Sequence, residues 1–98
     1  MKQYQTKKEK DRFKLMFDRK QTRNLTNFIS KYYLTSEQMR KLVTSDWVIW
    51  EERYINNDAP TKVVTKLKIY GKYYIIESRQ WLDDKGMNFI FVNNIKRG

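Results

Sequence analysis

The chain contains no cysteine and no histidine. The first absence excludes disulfides, thiolate metal sites and cysteine nucleophiles. The second removes the commonest general base and the commonest metal ligand. Only three glycines and one proline occur among 98 residues, and the glycines stand alone, so no glycine-rich phosphate loop can be formed. No apolar run approaches the length of a bilayer span, and the basic cluster Lys7, Lys8, Lys10 is followed by no apolar signal core. These absences predict a cytoplasmic protein without membrane association, and they leave no cofactor or metal site to name.

Positive charge is what the chain has in excess. Lys and Arg number 21 against 11 Asp and Glu, a net +10. Residues 1–24 hold nine basic and three acidic residues, more than half of that excess. Such a balance predicts a polyanionic partner, chiefly nucleic acid and DNA rather than RNA, bound through salt-sensitive phosphate contacts. The plainer reading is a solvated surface that keeps a small protein soluble. Lys, Asn, Ile and Tyr are frequent while Ala, Gly and Pro are scarce. That composition matches the codon bias of an AT-rich genome, such as that of a low-GC bacterium or its phages.

One domain spanning 1–98 is expected, with a modest core to which 15% aromatic content contributes. Residues 1–5 are expected to fray, 6–45 to be helical and 46–95 to form antiparallel sheet. Thr6-Lys7-Lys8-Glu9 is a capping-box pattern opening a helix to about Arg19, with Phe13, Met16 and Phe17 as a narrow apolar stripe. Thr22 or Asn24 can cap a second helix over about 23–33, where Leu25, Phe28, Ile29, Tyr32 and Tyr33 recur at helical spacing. Thr35-Ser36-Glu37-Gln38 is a second capping box, opening a short helix to about Thr44 with Met39, Leu42 and Val43 inward.

The remainder reads as strands. Residues 47–55 alternate, with Val48, Trp50, Glu52 and Tyr54 on one face and Trp47, Ile49, Glu51, Arg53 and Ile55 on the other; both faces are partly apolar, so neither is assigned inward. Asn56 to Thr61 is a turn-rich loop holding the only proline. The stretch 62–81, KVVTKLKIYGKYYIIESRQW, organises the rest as a hairpin. A II′ turn at Gly71-Lys72 would set Tyr70 opposite Tyr73, Leu67 opposite Ile76 and Lys66 opposite Glu77. Val63, Thr65, Leu67, Ile69, Tyr74 and Ile76 then face the core. Lys66, Lys68, Tyr70, Tyr73, Ile75, Glu77 and Arg79 face outward. Asp83-Asp84-Lys85-Gly86 predicts a three- to four-residue hairpin loop, followed by a last strand over 87–93 whose Met87, Phe89 and Phe91 join the core. Lys96-Arg97-Gly98 reads as a basic tail.

The expected fold is α+β: two or three N-terminal helices packed on one face of a four-stranded antiparallel β-meander. The alternative is a winged helix-turn-helix, with Ser36, Glu37, Arg40 and Lys41 on a recognition helix. Glu37 would meet phosphates unfavourably, and the strands are long for a wing.

The predicted phosphate-contacting residues are Lys7, Lys8, Lys10, Arg12, Lys14, Arg19, Lys20 and Arg23 at the amino-terminal end, Arg40 and Lys41, and Lys66, Lys68 and Arg79 on the outer sheet face. Tyr70, Tyr73 and Trp81 are placed to stack on bases, as in single-strand binders. Ile75, Ile90 and Val92 share that outer face and would suit a protein partner or a homodimer. The function expected is therefore a non-enzymatic nucleic-acid-binding protein. The alternative is a phage or mobile-element regulator or inhibitor that docks on a host protein, such as a nucleic-acid enzyme. Glu51 or Glu52 beside Glu77 and Lys66 could mimic a metal-dependent nuclease, but cross-strand salt bridging accounts for the same residues.

Overall fold

The computed structural model describes residues 2–54, 61–83, 86–91 and 95–98, with 80–83 and 86–91 as backbone. Three helices, α1 (Lys7–Asp18), α2 (Thr22–Lys31) and α3 (Ser36–Val43), precede β1 (Val48–Tyr54), β2 (Thr61–Ile69), β3 (Lys72–Asp83), β4 (Gly86–Phe91) and the short β5 (Lys96–Arg97). The sheet order is β1-β2-β3-β4, all neighbours antiparallel, with β5 also on β3. This is the α+β meander expected; the strand count and length do not suit a wing.

Each helix forms where its apolar spacing can be buried. Phe13 and Met16 of α1 pack on α2, whose Leu25, Phe28 and Ile29 are all buried. The Phe13 and Phe28 rings lie 5.7 Å apart, and Phe28 and Tyr32 4.7 Å. Met39 and Leu42 carry α3 onto the same core, which Leu67, Ile69, Tyr74, Ile76 and Ile95 close from the sheet side. Full burial of each such side chain contributes about 1.5–3 kcal/mol, which a helix as short as α3 requires, since isolated helices of this length do not persist in water.

Helix ends depart partly from the sequence pattern. At α3 both halves of the capping box form: the Gln38 N–H donates to Thr35 Oγ1 at 3.2 Å, and the Thr35 N–H donates to Gln38 Oε1 at 3.0 Å. At α1 they do not. The Thr6 hydroxyl donates directly to the Glu9 carboxylate and caps no backbone N–H. That bond, aided by Arg12 and Lys8, holds the Glu9 carboxyl below its ordinary range. The other end of α1 closes in a Schellman motif: Gln21 N–H donates to Met16 C=O and Lys20 N–H to Phe17 C=O. Lys20 takes the left-handed position, φ 54°, usually held by glycine.

The amino-terminal segment, expected to fray, is docked, and the basic tail pairs with β3. α2 stops at Lys31 because Tyr32 and Tyr33 turn extended to meet the amino-terminal segment. The Gln3 N–H donates to Lys31 C=O and the Tyr33 N–H to Gln3 C=O, both at 2.9 Å. Gln5 and Gln38 exchange amide hydrogen bonds at 2.6 and 2.7 Å, and Gln5 also donates to Tyr33 C=O. At the other end Ile95 is buried, and Lys96 and Arg97 pair with Ile75 and Tyr74 along the β3 edge that β4 occupies farther on. The Arg97 guanidinium stands 5.6 Å from the Tyr74 ring.

The central hairpin keeps its predicted faces and changes its register. Val63, Thr65, Leu67, Ile69, Tyr74 and Ile76 are all buried. The turn residues are Tyr70 and Gly71, at φ 50° and 70°, so the pairs are Ile69 with Lys72, Leu67 with Tyr74 and Lys66 with Ile75. Two left-handed residues make a I′ turn, whose twist matches the strands. The register is two residues from the one predicted, so every side chain that stays in a strand keeps its face, Tyr70 moves into the turn, and the apolar pattern cannot tell the two apart. The expected Lys66–Glu77 pair is lost; Glu77 instead meets Lys62 at 2.9 Å and Arg79 at 3.8 Å.

β1 is also re-sorted. Val48 pairs with Leu67 but Trp50 pairs with Lys66, a bulge at Ile49. One extra residue switches faces, so Val48 points to the core side while Trp50, Glu52 and Tyr54 join the outer face. Asp83 pairs with Gly86; Asp84 and Lys85 of the predicted hairpin loop lie outside the described residues. The predicted turn at 56–60 and the side chains of Met87, Phe89, Ile90, Phe91 and Val92 lie outside the described residues.

Candidate nucleic-acid interface

The helices cover one face of the sheet, and among the described residues no element covers the other. β-Strand alternation delivers to that open face Trp50, Glu52 and Tyr54 from β1, Lys62, Val64, Lys66 and Lys68 from β2, and Tyr73, Ile75, Glu77 and Arg79 from β3. Lys96, exposed and paired with Ile75, joins them. Five cations thus stand against two carboxylates.

Tyr73 is the centre of this surface. It lies directly across from Lys68, and the ammonium groups of Lys66 and Lys68 sit 4.9 and 5.4 Å from its ring centroid. At the β1 side Lys62 lies 5.7 Å from the Tyr54 ring. The Tyr54 hydroxyl bonds to the Glu52 carboxylate, which raises the phenol above its ordinary range. Glu77, held by Lys62 and Arg79, neutralises part of the charge at this end, so the surplus gathers around Tyr73. Tyr70, at the turn, is 56% exposed. A ring flanked by ammonium groups on an open sheet can stack on a planar base while the cations reach the adjoining phosphates.

The amino-terminal cations form a different surface. Lys7, Lys8, Lys10, Arg12, Lys14, Arg19, Lys20 and Arg23 are all exposed. The three ion pairs found among the described residues all lie in the sheet. Helical spacing splits the α1 cations into two rows: Lys7, Lys10 and Lys14 on one flank, Lys8, Arg12 and Arg19 on the other, with Asp11, Leu15 and Asp18 between them. Arg12 lines a groove of about 460 Å³ between α1 and α2, shared with Asn24, Asn27 and Lys31. On α3, Arg40 is exposed and Lys41 half-buried, its ammonium 5.9 Å from the Phe17 ring. Ser36 and Glu37 are exposed at the start of α3.

The predicted residues therefore fall into two groups that the fold does not merge. Lys66, Lys68, Tyr73 and Arg79 occupy the outer sheet face, while Tyr70 is exposed at the turn that joins β2 and β3. The α1 set and Arg40 belong to the helical layer, on the far side of the sheet. The backbone of Trp81 pairs with Asn88; its side chain lies outside the described residues. Ile75, expected in an exposed apolar patch, is half-buried, and Gly98 lies so close that a Cβ there would meet Ile75 Cγ1 at 2.7 Å.

Sequence reasoning missed Lys62, Lys96, Trp50 and Tyr54. Alternation along the hairpin contained the signal for Lys62, which shares parity with Lys66 and Lys68. Trp50 and Tyr54 could not be assigned before the bulge was known. The nuclease-like grouping does not assemble: β2 runs between β1 and β3, with Val64 separating Glu52 from Glu77. Two strand spacings put their Cα atoms about 9–10 Å apart, and Glu51, on the other face, pairs with Arg53 at 3.0 Å. No family model, curated protein or solved structure matches the chain.

Proposed function

We propose that this chain is a non-enzymatic nucleic-acid-binding protein whose outer sheet face receives a single strand, DNA in the first instance. The observation that carries the reading is the Tyr73 ring with the Lys66 and Lys68 ammonium groups 4.9 and 5.4 Å from its centroid, on a sheet face that no helix covers among the described residues. Stacking on Tyr73 and Tyr70 supplies affinity that tolerates any base, and Lys62, Lys66, Lys68 and Lys96 meet phosphates. The α1 cations raise the local concentration of the polyanion by long-range attraction without sharing the same stretch of strand.

Fluorescence anisotropy with labelled single strands and duplexes across a salt series tests this. Single strands should bind more tightly than duplex of equal length, with log K falling linearly in log salt at roughly −0.7 per phosphate contacted. Tyr73→Ala should weaken binding by about 1–3 kcal/mol, and Lys66→Glu with Lys68→Glu should flatten the salt slope. Absence of binding at low salt, or binding indifferent to all three changes, would overturn the reading.

A further inference from the structure

We infer that the open edge of β1 is a homodimer interface, in which a second copy pairs its own β1 antiparallel about a twofold axis at Glu52. Among the described residues no strand pairs with the far side of β1, so its outward N–H and C=O groups stand as a template for another strand. The strand also leaves Trp50 46% and Tyr54 48% exposed. The bulge sits at its first residues, so Trp50 to Tyr54 is regular and able to pair.

The residues of this segment select the occupant. In an antiparallel pair, backbone groups that point outward must meet others that point outward, so self-pairing is centred on a residue. Centred on Glu51, it opposes two carboxylates and sets Ile49 against Arg53. Centred on Arg53, it opposes two guanidinium groups. Centred on Trp50, it runs through the bulge. Centred on Glu52, it sets Glu51 against Arg53 and Arg53 against Glu51, and Trp50 against Tyr54 twice. Opposite charges and aromatic pairs directly across a ladder are the stabilising combinations. The existing Glu51–Arg53 ion pair, 3.0 Å long, becomes half of a four-charge ring across the dyad. The single unfavourable contact is Glu52 with its own copy. Because this register preserves faces, the two outer sheet faces become one continuous surface. The inference does not depend on nucleic-acid binding.

Sedimentation equilibrium across the micromolar range should give a reversible approach to twice the chain mass. Glu51→Arg and Arg53→Glu, each alone, place like charges opposite one another and should raise the dissociation constant roughly tenfold or more. Mixing the two variants recreates both complementary pairs, so the mixture should dimerise more tightly than either variant alone. Glu52→Gln removes the repulsion at the dyad and should tighten the dimer, which keeps the test decisive if either charge variant fails to fold. A monomer at every concentration, a dimer indifferent to the single reversals, no rescue on mixing, or no tightening with Glu52→Gln would each overturn the inference.

Discussion

Replacing Tyr70 with asparagine should stabilise this protein, although it removes a large side chain. Tyr70 sits at φ 50° as the first of two left-handed turn residues. An L-residue in that region carries a cost of about 1–2 kcal/mol, from which asparagine is partly exempt because its short polar side chain bonds locally. Little packing opposes the gain, since 56% of Tyr70 is exposed. The net expectation is a gain of about 0.5–1 kcal/mol, in line with conformationally matched turn substitutions. For a domain of this size that raises Tm by about 2–8 °C, read by circular dichroism on heating and checked by the urea midpoint. Gly71→Ala is the companion. An added Cβ there would meet nothing within 4 Å, so its cost is backbone alone, about 1 kcal/mol. The reasoning is refuted if Tyr70→Asn leaves Tm unchanged or lowers it. That outcome is what the Gly71-Lys72 turn would give, because Tyr70 would then be an extended strand residue and asparagine a poor one.

Three further outcomes follow from the same geometry. Lys20→Gly relieves the left-handed C′ position of the α1 Schellman motif, and should raise stability by about 0.5–1 kcal/mol in urea unfolding. Gln38→Ala removes the Thr35 N–H to Gln38 Oε1 half of the α3 capping box and leaves Gln5 Oε1 without its donor; a loss of about 2–3 kcal/mol is expected, with faster amide exchange at Gln3 and Tyr33 as its local signature. Burial raises the Tyr74 phenol, with Arg97 opposing as the smaller influence. Because the folded state favours the neutral ring, this contribution is complete below the ordinary tyrosine pKa of about 10. It is lost as pH rises through the higher folded value. Tyr74→Phe should therefore flatten the fall in stability on the alkaline side, a change visible in Tm measured across that pH window.

Local periodicity made much of the fold legible. The 3.6-residue recurrence of Leu25, Phe28 and Ile29, and the alternation from Val63 to Ile69, each name a buried face without reference to any other element. What escaped were features decided by contacts between distant segments. Nothing near Gln3 announces a bridge to Tyr32, because the polar groups it satisfies belong to the end of α2. The two-residue register change in the hairpin is invisible to a pattern of period two. The bulge at Ile49 became legible only when β1 was laid against Leu67 and Lys66. For the candidate interface, Lys66, Lys68 and Tyr73 were found by parity, whereas Trp50, Tyr54 and Lys96 required the neighbouring strands.

The amino-acid sequence by itself determined the charge excess, the lack of thiol and imidazole chemistry, the apolar stripes of the amino-terminal helical part and the two faces of the hairpin. All of these follow from residue type and near-neighbour spacing. Only the tertiary structure decided that the cations form two surfaces rather than one. The helices must bury their apolar stripes against a single face of the sheet, so the basic rows of α1 point away from the lysine-flanked Tyr73 on the other.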